Sequence, residues 1–203
     1  MSVFDDAEML QAMLDFERAL AIAESKCNIF EPRIADTIAE WCYISEFSIP
    51  DLSDSASQHG TIVVPLVAEL TKLVAEKDQV ASSWVHHGAT SQDVIDTAMI
   101  IQLRKGLKII ERDVQRIGSS LKDLIKKHGN KIMIGRTLLQ PSVPITFGEK
   151  VSGWESALSR NWKRIENSAA EALLLQFGGA AGNLSSLGRD GIEVRKKLSE
   201  ILE

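Results

Sequence analysis

Apolar residues recur every three or four positions along almost the whole chain, which is the spacing of one helical face. The first stripe is Met9, Met13, Phe16 and Leu20, and it follows Asp5 and Asp6. Acidic residues suit a first turn because they oppose the partial positive charge of its unpaired N–H groups. Pro32 fits the opening of a second helix, through about Trp41, where a missing N–H costs nothing. The run Ser48-Ile49-Pro50-Asp51-Leu52-Ser53-Asp54 reads as a loop and cap cluster. A helix from about Val63 to Ala75 follows, and then a polar connection to Trp84.

The longest pattern starts at Ile95 and steps through Met99, Leu103, Leu107 and Ile110 as far as Leu124. It predicts one helix of about 35 residues, or about 50 Å at the helical rise per residue. A second long helix is expected from about Ser142 to Leu175, with Trp154, Leu158 and Trp162 on one stripe and Pro141 and Pro144 at its entry. The two longest helices thus fall near residues 91–128 and 142–176. Their short connection makes them antiparallel. Gly178-Gly179-Ala180-Ala181-Gly182 ends the second, and a shorter helix begins near Asp190.

The fold class is therefore all-α. Residues 1–90 are expected to form an N-terminal helical domain, and residues 91–203 the opening helices of a bundle. The Met and Trp stripes read as core. Two long helices cannot bury such stripes by themselves, so further helices or a second copy must cover them.

Composition adds exclusions. Apolar content of 44% and charged content of 25% are those of a globular protein. A net charge of −5 argues against a nucleic-acid partner, which needs a basic face. The chain has no apolar run long enough for a bilayer and no basic-then-apolar leader at Met1. No membrane partner is expected, and the protein is placed in the cytoplasm. Cys27 and Cys42 sit in helical patterns and read as reduced structural thiols. His59, His86, His87 and His128 form no ligand pattern, so no metal is expected.

Candidate chemistry lies at the head of the longest helix, in Gly88-Ala89-Thr90-Ser91-Gln92-Asp93. A helix N-terminus attracts anions through its free N–H groups. Thr90 and Ser91 add hydroxyls, and His86 and His87 lie just upstream. The plain alternative is that Thr90 and Ser91 only cap the helix. A second motif, Gly135-Arg136-Thr137-Leu138-Leu139-Gln140, precedes the next long helix. Arg136 there suits either a bidentate carboxylate contact or a structural ion pair.

These two motifs, in this order, resemble the fumarase/aspartase superfamily. Four segments are similar to its 3-carboxy-cis,cis-muconate cycloisomerase branch: MLQAMLDFERALAIAES, HHGATSQDVIDTAMIIQLRKGL, GRTLLQPSVPITFGEKVSGW and LLLQFGGAAGNLSSLG. The resemblance implies a tetramer built through the long helices, no cofactor, and a small polycarboxylate substrate. It implies lactone closure by a substrate carboxylate, a step of aromatic catabolism. It places His86, Thr90, Ser91, Arg136, Thr137 and Gln140 at the substrate. The superfamily's catalytic serine sits on a loop reading Gly-Ser-Ser-x-Met-Pro-x-Lys-x-Asn. No such loop occurs here, and Gly118-Ser119-Ser120 continues into Leu-Lys-Asp. The chain is thus expected to be the N-terminal portion of a longer enzyme, inactive alone, with no catalytic residue of its own.

Several lyases of the superfamily carry His where this chain has Leu138. That His works on a poor leaving group. A lactonising enzyme uses a carboxylate with a pKa of about 4, already ionised at neutral pH. Leu138 therefore favours a cycloisomerase. The alternatives are a 3-sulfomuconate-type cycloisomerase, a β-eliminating lyase resembling adenylosuccinate lyase, and a non-catalytic helical scaffold.

Overall fold

The computed structural model describes residues 3–202. Among them lie eight α-helices and one two-stranded sheet. Asp5 caps α1 (Asp6–Lys26), accepting from the Glu8 N–H at 2.9 Å. The expected stripe is the centre of the core, with Met13, Leu14, Phe16 and Leu20 fully buried. α2 (Pro32–Glu40) packs on α1 through Ile34 and Ile38, and opens at its proline.

The run from Ser48 to Asp54 is not a loop. It opens α3 (Ile49–His59), with Ser48 as N-cap and Pro50 in the first turn. Start signals and turn signals use the same residue types, and here Leu52 buries and decides for helix. α4 (Val63–Lys77) buries Leu66, Leu70 and Val74. The polar connection contains a short helix, α5 (Gln79–Ser82), capped by Asp78. α8 (Gly191–Leu202) lies on α1 and buries Val194 and Leu198.

α6 (Ser91–His128) is one unbroken helix of 38 residues. The second helix differs from expectation. A hairpin intervenes, with β1 (Ile132–Thr137) antiparallel to β2 (Gln140–Thr146) and a bulge between Ile134 and Arg136. Pro141 and Pro144 therefore belong to a strand. A two-stranded ribbon tolerates them because each strand keeps one free edge. α7 (Phe147–Ala172) starts after Thr146, which forms a capping box with Glu149. The hairpin reverses the chain, and Lys122 Nζ lies 3.8 Å from Glu155 Oε1 across the two long helices.

The chain divides into two compact units, Met1–Arg104 with Leu174–Glu203, and Lys105–Leu173. This division differs from one drawn at residue 90. The first turns of α6 bury Val94 and Ala98 in the first core, and α8 returns to the same core. In the second unit the stripes are open. Ile110, Ile117 and Trp154 are 46%, 50% and 53% exposed, so the Trp154 position is not core within one chain. Two facing helices cover only part of each other's apolar stripe. Both cysteines are free thiols. Among the described residues, no helix is long and apolar enough to cross a membrane.

The contrast between the two units sets a stability prediction. Phe16→Ala should cost about 3–5 kcal/mol, the usual range for truncating a buried aromatic residue. Ile117→Ala should stay within about 0.5 kcal/mol in the dissociated single chain, as exposed changes do. Urea denaturation followed by circular dichroism measures both, and equal losses would contradict the burial pattern.

Candidate functional site

The head of α6 is held from behind by a buried carboxylate. Asp93, only 1% exposed, sits in the first turn of the helix. Its Oδ1 accepts from Gly178 N at 2.9 Å and from Gln176 Nε2 at 3.4 Å. Its Oδ2 accepts from Gly179 N at 2.9 Å and from Thr90 N at 3.1 Å. Thr97 adds a second tie, donating from Oγ1 to the Gln176 carbonyl at 2.9 Å. The Gln176–Gly179 segment is thereby fixed against the Thr90 turn. Gly179 allows this approach, because a Cβ there would lie 2.9 Å from the Gly88 carbonyl oxygen.

With Asp93 holding the backbone, the hydroxyls are left over. Neither Thr90 Oγ1 nor Ser91 Oγ has a hydrogen-bond partner among the described residues. The N–H groups of Ser91 and Gln92 are unpaired as well. Simple capping by Thr90 or Ser91 is therefore not what these side chains do. Two hydroxyls and two N–H groups sit at the positive end of a 38-residue helix. That arrangement can bind a carboxylate, and it can stabilise charge that grows on one.

His86 stands at the edge of this turn, with left-handed backbone (φ 59°). Its Nδ1 donates to Glu17 Oε1 at 2.6 Å. Burial opposes the charged ring, but the hydrogen bond and charge of Glu17, with Asp93 behind, leave the His86 pKa raised. The neighbouring His87 pairs with Glu24 at 2.7 Å and stacks edge-on against Trp84. Here the balance is reversed. Burial lowers His87, while burial and the nearby Glu17 charge push Glu24 up to about 9. The consistent arrangement is a protonated Glu24 donating to a neutral His87 ring.

The remaining candidates lie on the hairpin of the second unit. Thr137 and Gln140 face each other across its tip, and Leu138 and Leu139 form the turn with positive φ. Arg136 is exposed, and its one contact is a 3.5 Å bond to the Leu139 carbonyl. It has no ion-pair partner among the described residues, so the structural ion pair weighed from sequence is not made. Leu138 is 92% exposed. The structure thus groups His86, Thr90 and Ser91 in one unit, and Arg136, Thr137 and Gln140 in the other. Among the described residues, no three His, Cys, Asp or Glu side chains gather as a metal site.

Glu17, Glu24 and Asp93 were not singled out from the sequence. A signal existed for each. Two glutamates seven apart inside an apolar stripe must bury charge. An acidic residue three positions after Thr90 is a capping-box spacing.

A fold dominated by long helices, with open donors at the head of the longest, defines a class, and comparison identifies it. A family profile described as "Lyase" matches residues 1–203. The chain belongs to this lyase family, within the fumarase/aspartase superfamily. It is 39% identical over 198 residues to a 3-carboxy-cis,cis-muconate cycloisomerase of Bradyrhizobium diazoefficiens, covering 98% of this chain and 44% of that one. It is 31% identical over 200 residues to an adenylosuccinate lyase of Pyrococcus abyssi, again covering 98% and 44%. The crystal structure of 3-carboxy-cis,cis-muconate lactonizing enzyme from Pseudomonas putida superposes with a TM-score of 0.95 at 37% identity, over 99% of this chain and 46% of that one. The chain spans about half the length of the relatives it matches.

The buried pairs predict how stability changes with pH. A carboxyl held up to about 9 in the folded state but ordinary when unfolded favours the fold at low pH. That contribution is lost as pH rises toward 9. His86, also raised, acts in the same direction, and lowered His87 acts only below its ordinary 6.5. Urea midpoints should therefore fall from neutral pH to about pH 9. Glu24→Gln should flatten that slope, and an unchanged slope in the variant would count against the assignment.

Proposed function

We propose that the complete protein is a cycloisomerase that closes 3-carboxy-cis,cis-muconate, or a muconate with another acidic 3-substituent, to a lactone. One observation carries the reading: the unpaired hydroxyls of Thr90 and Ser91 beside the free N–H groups at the head of α6. In this reaction a substrate carboxylate adds across a conjugated double bond. The C–O bond forms, and the electron pair moves through the adjacent carbon onto a second carboxylate as an enediolate. A proton then reaches that carbon. The donors at Thr90, Ser91 and the helix start bind the second carboxylate as its charge grows, and His86 adds positive charge beside them.

Arg136, Thr137 and Gln140 are assigned to the substrate's remaining carboxylates, on the strength of the family motif. The proton-transfer serine belongs to a loop that this chain does not contain. The relatives' names support a carboxylate substrate, and Leu138 supports lactonisation over amine or alcohol elimination. The open stripes of α6 and α7 support assembly through the long helices; the assembly we propose is a homotetramer, placed in the cytoplasm. In that assembly the long helices within residues 91–203 belong to the shared bundle.

Four measurements test this reading. In the complete protein, Ser91→Ala and Thr90→Val should each slow lactonisation of 3-carboxymuconate by about 2.7–4 kcal/mol in the barrier, the cost of one lost donor. Leu138→Ala should cost far less, because Leu138 moves no proton. The 203-residue chain alone should show no turnover. A Leu138 defect as deep as the Ser91 defect, or turnover by the isolated chain, overturns the roles assigned. Sedimentation should show an oligomer, and a monomer at micromolar concentration contradicts the proposed assembly.

A further inference from the structure

We infer that Glu17 is a positioning residue: it holds His86 as an imidazolium whose Nε2–H is available to a carboxylate bound at the head of α6. The inference rests on the anion-site reading above.

Glu17 is 2% exposed, on the face of α1 that packs into the apolar core. Its Oε1 meets His86 Nδ1 at 2.6 Å, and its Oε2 is buried with no partner. A carboxylate taken out of water needs a cation or several donors. Among the described residues His86 is the one partner it has. Removing the ring's proton would leave that carboxylate buried and uncompensated, so the two charges stand or fall together. The groups around the ring make the balance specific. Glu24, also on α1, carries its own proton and serves His87. Asp93, on α6, spends its oxygens on four N–H donors. His87, the next residue, is the neutral member of the other pair. Glu17 is left as the counter-charge for His86.

Geometry restricts what the charged ring can do. With Nδ1 engaged, Nε2 is the only ring donor left; it has no partner among the described residues and is not among the buried unpartnered atoms. The turn carrying the ring is fixed on both sides. His86 itself has left-handed backbone, a conformation kept only where the surroundings over-determine it. Gly88 follows at φ 73°, where a Cβ would lie 2.8 Å from Leu187 Cγ. Thr90 N is then pinned by Asp93. The chain between the ring and the free hydroxyls therefore has little room to reorganise, and a ligand meets a preset cation five residues before the helix start at Ser91.

Histidine ring NMR on the 203-residue chain tests this, with tricarballylate as the polycarboxylate probe and Glu17→Gln and Glu24→Gln as variants. In the wild-type chain His86 should titrate above 6.5, the ordinary value. Tricarballylate should shift the Ser91 and Gln92 amides. Glu17→Gln should move the His86 titration below 6.5, weaken tricarballylate about tenfold at neutral pH, and flatten the pH dependence of binding. Glu24→Gln exchanges one neutral group for another and should stay within about twofold. A wild-type His86 that titrates at or below 6.5 overturns the inference, even if Glu17→Gln does not fold. Tricarballylate binding that Glu17→Gln leaves within twofold overturns it too, and leaves the anion site standing. No tricarballylate response at Ser91 and Gln92 in the wild-type chain overturns the anion site itself.

Discussion

The carboxylate of Asp93 is the constraint on which the candidate site depends. It sits in the first turn of α6, where the helix field favours an anion, yet it faces inward, toward the core. Its two oxygens gather donors from Thr90, Gln176, Gly178 and Gly179. One buried group thereby ties the turn from behind, while the N–H groups of Ser91 and Gln92 stay unpaired among the described residues. Hydroxyls that would have been consumed by the backbone remain open to a ligand. A turn tied from inside the protein thus leaves this helix start with donors that an ordinary capped start would have used. Because charge-assisted bonds to backbone N–H groups are stronger than neutral ones, the arrangement can hold a tight turn that includes left-handed residues.

Around that point the protein distributes protons unevenly among similar groups. Two histidines, adjacent in sequence, meet two glutamates placed two helical turns apart on α1. One pair is ionic and the other neutral. The difference comes from order and environment. Once one carboxylate is charged, its field raises the second, and burial without a further donor does the rest. Two like charges on one buried face would cost more than a single proton retained on Glu24.

Much of this was legible in the sequence, and the failures have physical reasons. The stripes of α1 and α6 specify their helices because nothing competes with an unbroken helical period. Ser48 to Asp54 misleads because Ser, Pro and Asp open helices as readily as they make turns, and the burial of Leu52 that decides is a tertiary event. Ser142 to Thr146 misleads because the prolines suit a helix start as well as an edge strand. The better signal there was Thr146 followed by Glu149, a capping box that starts the helix at Phe147, five residues later than expected. The site motifs pointed to His86, Thr90 and Ser91. Their supports, Glu17, Glu24 and Gly178, lie far away in the chain, and a single sequence read for local spacing does not pair such residues.

The reach of the Asp93 contacts also orders events in time. The carboxylate and the glycine N–H groups it binds are 85 and 86 residues apart. At the usual pace of synthesis, about 5–20 residues per second, roughly 4–17 s pass between the emergence of Asp93 and that of its partners. During that interval α6 and the hairpin can form from local contacts alone, while Asp93 waits in water with its head-of-helix turn untied. The site is therefore among the last features of this chain to be completed during translation, after the elements that frame it.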